Sequence, residues 1–182
     1  MRIKLNNVRL AFPQLFEAKT VNGEGKPAFS ASFLLDPSDP QVKELNKAIE
    51  QVARDKWGAK ADAVIKQMRA TDKVCLHDGD LKSNYDGFPG NLYVSSRSQT
   101  RPLIIDKDKT PLAEADGRPY AGCYVNASIE LWAQDNNYGK RVNASLRGVQ
   151  FHRDGDAFAG GGAASEDEFD DISEGAEAGD LV

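Results

Sequence analysis

The sequence predicts a mainly β protein: a small barrel with one helical insertion and a disordered C-terminal tail. Three observations carry that expectation. Short runs of alternating apolar and polar residues recur over residues 1–153, separated by turns rich in Gly, Pro and Asp. One region alone, near residues 40–70, changes to the three-and-four spacing of a helix. From Asp154 onward periodicity stops, and Gly, Ala and acids dominate.

The elements follow in chain order. Arg2 to Phe12 alternates Ile3 and Leu5 against Arg2, Lys4 and Asn6, which reads as a strand interrupted by Pro13. Thr20 to Pro27, with Gly23 and Gly25, reads as a loop, and Ala28 to Leu35 as a second strand. Asp39 is placed to cap a helix that has Pro40 in its first position. Val42, Leu45, Ile49 and Val52 then form one apolar stripe, Gly58 ends or bends the helix, and a second piece runs from about Lys60 to Ala70. That stripe packs on a sheet. Cys75 to Gly90 is turn-rich, Asn91 to Arg97 is a strand, and Leu103 to Ile105 is a short one. Gly122 to Gln134 and Lys140 to His152, joined at Asp135–Gly139, form the clearest hairpin. A five-stranded barrel of the OB type needs no more elements than these. Its simplest order puts three strands before the helix, whereas two are visible here. Either the helix is an insertion or a further strand exists.

The formal net charge of −5 hides a partition. All 23 Lys and Arg lie at or before Arg153, against 18 acidic residues in the same stretch, whereas the last 29 residues carry ten acids and no base. The chain divides into a basic body, 1–153, and an acidic tail, 154–182. A basic body suits a polyanion, and an acidic tail can compete for the same surface. No apolar run approaches the ~18 residues of a membrane span, and no signal peptide is visible, so the expected setting is the cytoplasm. Cys75 and Cys123 are expected to be reduced thiols.

Alternation assigns faces to the late strands. Cys123, Val125, Ala127, Ile129 and Leu131 share one face and Val142, Ala144 and Leu146 another, both inward. Tyr124, Asn126, Ser128, Glu130 and Trp132 point outward, as do Arg141, Asn143, Ser145 and Arg147, and Tyr93, Ser95 and Arg97 lie opposite Leu92 and Val94. Rings, small polar groups and arginine together suit unpaired nucleic acid, since bases stack on flat surfaces and phosphates need cations. Tyr85, Phe88, Tyr93, Tyr124, Trp132 and Tyr138 are candidate stacking residues; Lys82, Arg97, Arg101, Lys140, Arg141 and Arg147 are candidate phosphate contacts. Outward Tyr and Arg also occur on strands that bind nothing, so the combination carries the reading. In the tail, acids interleave with apolar residues around Phe169, Asp170 and Asp171 and at the terminal Asp180, Leu181 and Val182. Such a peptide can mimic a nucleic-acid backbone and dock on apolar pockets rimmed by bases. Gly160–Gly162 reads as its hinge.

Other chemistries are weaker. Cys75, His77, Cys123 and His152 match no zinc spacing. His77, Asp78, Asp80 and Asp86 could hold Mg²⁺ in a nuclease, although Asp-Gly-Asp is ordinarily turn chemistry. No phosphate-binding G-x-x-x-x-G-K-[ST] loop is present. No cofactor is expected. A virion or scaffold interaction protein is a third possibility.

Three blocks carry a resemblance to a known family. They are Val8-Arg9-Leu10-Ala11-Phe12-Pro13-Gln14-Leu15-Phe16-Glu17-Ala18; Tyr85-Asp86-Gly87-Phe88-Pro89-Gly90 with Tyr93-Val94-Ser95; and Gly148-Val149-Gln150-Phe151 ahead of the acidic tail. Over the whole chain the sequence resembles a family of bacteriophage single-stranded-DNA-binding proteins with an OB-fold. The resemblance implies a non-enzymatic protein that protects single-stranded DNA in phage replication, recombination and repair. Its tail resembles those through which such proteins recruit replication and recombination partners; from its charge the tail is also expected to modulate DNA binding, and self-association is a further partner reading. Some tails of this kind end in an aromatic residue; this one ends in Leu181-Val182, with Phe169 internal.

Overall fold

The computed structural model describes residues 1–21, 23–158 and 169–173. The strands are β1 (Arg2–Val21), β2 (Glu24–Leu35), β3 (Leu76–Asp78), β4 (Leu92–Ser98), β5 (Leu103–Ile105), β6 (Tyr124–Asn136) and β7 (Gly139–Arg153). The helices α1 (Pro40–Trp57) and α2 (Ala61–Ala70) follow β2, joined by a 3₁₀ turn at Gly58–Lys60. Hydrogen bonding orders the sheet β3-β4-β2-β1-β6-β7-β5. A parallel pairing of Arg97 on β4 with Ser145 on β7 closes β1, β2, β4, β7 and β6 into a five-stranded barrel. The helices lie between its second and third strands, so the helix is an insertion and no strand was missed ahead of it. The strand that the sequence did hide is β3, which pairs with β4 along Leu76↔Val94 and Asp78↔Leu92.

Four register shifts interrupt β1, and one of them lets the strand run through Pro13 rather than stop there. The first lies between Leu5 and Val8, where Asn7 takes a positive φ of 53°. The freed amide of Asn7 donates to Asn126 Oδ1 at 2.9 Å and that of Asn6 to Gln41 Oε1 at 2.7 Å. A bulge costs little when its donors find such partners. The second, between Ala11 and Gln14, has Phe12 at φ 47° and places Pro13 where the ladder needs no N–H. These resets let Leu5, Val8, Leu10 and Leu15 all reach the core despite odd spacing. The residues read as a loop, Thr20 to Pro27, instead lengthen the β1–β2 hairpin to Val21↔Glu24.

The helix forms as its sequence requires. Asp39 Oδ1 accepts the Gln41 amide at 2.9 Å, Pro40 opens the first turn, and Gly58 terminates it. Leu45, Ile49 and Val52, with Ile65 and Met68 of α2, join one core with Phe33, Val94, Val125 and Leu146 of the barrel. Each such fully buried side chain contributes about 1.5–3 kcal/mol. The inward set expected from β6 and β7 is buried throughout, Val125 and Ile129 at 0 % exposure. Cys75 and Cys123 are free and buried. No helix among the described residues is long and apolar enough to cross a membrane.

The body continues past Arg153. The Phe158 amide donates to Ala121 O at 3.0 Å, Arg9 Nη2 donates to Asp156 O at 2.9 Å, and the Arg9 guanidinium lies 4.4 Å from the Phe158 ring centre. Gly122, at φ 102°, makes this close approach possible: a Cβ there would meet Asp156 O at 2.1 Å. The Gly160–Gly162 hinge and the terminal Asp180, Leu181 and Val182 lie outside the described residues, as does most of the tail read as disordered.

Candidate nucleic-acid interface

A layer of rings lies outside the barrel, built by the loop between β3 and β4. That loop is braced across its base: the Gly79 amide donates to Asn91 O at 2.7 Å, Gly90 N to Asp80 Oδ1 at 2.9 Å, and Asn91 Nδ2 to Gly87 O at 2.7 Å. The brace sets Phe88 flat against Tyr93, ring centres 5.0 Å apart and 9° from parallel, with His77 stacked on Tyr93 at 4.7 Å. Phe12, lifted outward by its bulge, meets Tyr85 edge-on at 5.0 Å and Phe88 at 5.4 Å. Lys82 Nζ hangs 5.4 Å from the Phe12 ring and 5.6 Å from Tyr93. Lys82, Tyr85, Phe88 and Tyr93 are therefore brought together.

Two of those four are not free platforms. Phe88 has 0 % exposure and Tyr93 5 %; with Ala11 and Leu34, and Phe158 packed against them, they form a second small core. Tyr93 does face away from the barrel interior, as alternation requires, but the loop covers it, and burial with the nearby Asp72 charge raises its phenol pKa. The exposed rings are Tyr85 and Phe12. Phe12 is not among the candidates read from the sequence; its signal was its place in the Val8–Ala18 block that carries the family resemblance.

Beside this layer, the outward face of β2 and β4 is small and polar. Ser30 pairs with Arg97 and Ser32 with Ser95, and Arg97 also adjoins Ser145 of β7. Arg97 Nη2 donates to Lys26 O at 3.0 Å, which aims the guanidinium along the sheet. His77 bonds Ser95 Oγ through Nε2 at 2.9 Å and Asp72 through Nδ1 at 2.6 Å, tying β3 to β4. Arg101 is exposed beyond β4.

The remaining candidates lie on the late hairpin. Trp132 is 45 % exposed opposite Asn143, Arg141 pairs with Gln134, Lys140 is exposed, and Tyr138 stands 87 % exposed at the turn. Arg147 is exposed beside Glu130, at 3.4 Å. Tyr124 is not an open platform, since Arg153 sits 3.5 Å from its ring centre and Arg9 5.6 Å. In OB barrels, oligonucleotides lie over the second and third strands between the first and last hairpin loops. By connectivity β2, β4, the β1–β2 turn and the Asn136–Gly139 turn are those elements here.

The metal readings find no support in the geometry. Asp78 accepts the Asp80 amide at 2.9 Å and caps the 3₁₀ turn that follows, Asp80 holds Gly90, and His77 faces Asp72 and Ser95. Among the described residues no group of three His, Cys, Asp or Glu is placed to hold a metal ion. Burial pushes the Cys75 thiol up to about 12 and Cys123 to about 11, which keeps both protonated.

Fold and surface thus define an OB-type barrel with exposed rings and cations on its outer side. The family described as Enterobacter phage Enc34, ssDNA-binding protein, matches residues 1–182, and the chain belongs to it. This is a family of binding proteins, not of enzymes. The chain is 53 % identical over 176 residues, 95 % of each sequence, to putative protein p50 of Acyrthosiphon pisum secondary endosymbiont phage 1. It resembles the single-stranded-DNA-binding protein of bacteriophage Enc34 in complex with ssDNA, with a TM-score of 0.72, 26 % identity and 86 % and 88 % of the two chains covered. Gp2.5, a single-stranded-DNA-binding protein of bacteriophage T7, shares the fold: TM-score 0.55, 13 % identity, 90 % and 98 % covered.

Proposed function

We propose that the chain binds single-stranded DNA without strong sequence preference and protects it during phage replication, recombination and repair, in the cytoplasm of the infected bacterium. The observation that carries this is the pair of exposed rings, Phe12 and Tyr85, with Lys82 beside them, next to the serine- and arginine-lined face of β2 and β4. Bases stack on the rings, and Lys82, Arg97, Arg101, Lys140 and Arg141 take phosphates. Family membership and the Enc34 complex with ssDNA support the same reading. The acidic tail competes with DNA for the basic surface and recruits replication and recombination proteins. Tethering gives such a competitor a high effective concentration.

Titration of labelled single- and double-stranded oligonucleotides, with and without Mg²⁺, tests this. A salt-sensitive complex with the unpaired strand and no cleavage is expected. Truncation after Phe158 is expected to raise affinity about tenfold at low salt, with a smaller gain at high salt. Silence toward oligonucleotides in dilute buffer, or preference for duplex, overturns the binding proposal; unchanged affinity on truncation overturns the competition.

A further inference from the structure

On another part of the barrel, where β1, β5, β6 and β7 meet, the sheet surface is hollowed into a groove of about 350 Å³. Gly148 leaves its floor open, and Ile3, Ile105 and Leu103 form apolar walls, Leu103 being 62 % exposed. Arg2, Lys4 and Lys109 also line it, and no carboxylate does. None of these residues belongs to the interface above.

We propose that this groove is the seat of the chain's own tail, which docks there through Phe169 and Ile172. The complementarity is twofold. The tail sequence around these residues is Glu166-Asp167-Glu168-Phe169-Asp170-Asp171-Ile172, five acids with two large apolar side chains three positions apart. The groove supplies the converse, an apolar trough edged by three cations. Phe169 and Ile172 stand 71 % and 75 % exposed in the structure, so seating them removes apolar surface from water on both partners. Residues 170 and 171 would then bring their carboxylates to Arg2, Lys4 and Lys109.

Chain length permits it. The tail is pinned at Phe158 against Arg9, and Arg9 and Lys4 lie on the same strand, five residues apart. Five strand residues span ~17 Å. The eleven steps from Phe158 to Phe169 reach at most ~36–40 Å, more than twice that distance. The tail thus has two seats, the DNA face and this groove, and the groove holds it clear of DNA. Occupancy of the groove is independent of the DNA-binding proposal, and its test uses no DNA.

Amide NMR spectra of the full-length chain, compared with Phe169→Ala/Ile172→Ala, read the contact directly. Shifts at Leu103, Ile105, Gly148 and Gln150 are expected, and Lys4→Glu/Lys109→Glu is expected to abolish that difference while its remaining spectrum stays folded. Both lysines are exposed, so the pair does not test folding. Changes confined to β2 and β4, or no change anywhere in the barrel, overturn the groove as the tail's seat. A protein that ignored oligonucleotides yet showed the groove shifts would refute the DNA-binding proposal alone.

Discussion

Phe33 and Leu34 are neighbours on β2, both nearly free of solvent at 0 % and 4 %, yet they belong to different layers. Phe33 points into the barrel among Ile49, Val94 and Val125, and Leu34 points out into the small cluster of Ala11, Phe88 and Tyr93. The inner layer is made by strands and helices whose periodicity announces it. The outer layer exists because a loop and Phe158 fold over a strand face that would otherwise be wet. Alternation thus states which way a side chain points, whereas burial depends on what lies above it.

Substitutions separate the two layers. Phe33→Ala opens a cavity in the shared core and is expected to cost about 3–5 kcal/mol, read as a lowered denaturation midpoint. Phe12→Ala and Tyr85→Ala remove the exposed lip of the outer layer. Each is expected to weaken oligonucleotide binding by about 1–3 kcal/mol, with stability lowered by only about 1 kcal/mol because each ring is more than a third exposed. A large stability loss from either would mean that the rings are structural. Phe158→Ala strips the lid from the outer layer alone, and about 1 kcal/mol is expected because the ring is only partly buried. The smallest effect concerns the sealed thiols. Cys75 and Cys123 are expected to react with an aromatic disulfide only after unfolding. Their native pKa values exceed the ordinary 9.0, so the native state holds protons that the unfolded chain releases. Their contribution is complete below about pH 9 and is lost as pH rises toward 11 and 12.

What could be read from the sequence follows the same division. The stripe Val42, Leu45, Ile49, Val52, the Asp39 cap and the inward sets of β6 and β7 were legible because each rests on local spacing. The length of β1 was not, because Pro13 looks like a stop until a bulge places it where no donor is needed. Gly23 and Gly25, both at positive φ near 75°, read as loop residues although they shape the end of a hairpin. For the site, Lys82 and Tyr85 stand among the residues named from the sequence, and the structure places the half-buried Lys82 and the exposed Tyr85 in one ring layer. The burial of Phe88 and Tyr93 was not, because it depends on Gly87, where a side chain would strike Phe158 at 2.6 Å, a residue far along the chain.

The pairing of Arg97 with Ser145 carries a consequence for synthesis. The N-terminal half, β1 and β2 with α1 and α2, leaves the ribosome with its apolar faces complete but with no strand to shut them in. β1 finds its second neighbour only in β6, and β4 its parallel neighbour only in β7. Closure therefore waits for nearly the whole body to be translated. Contacts so distant along the chain place folding toward the slow, millisecond-to-second end of the range for small domains.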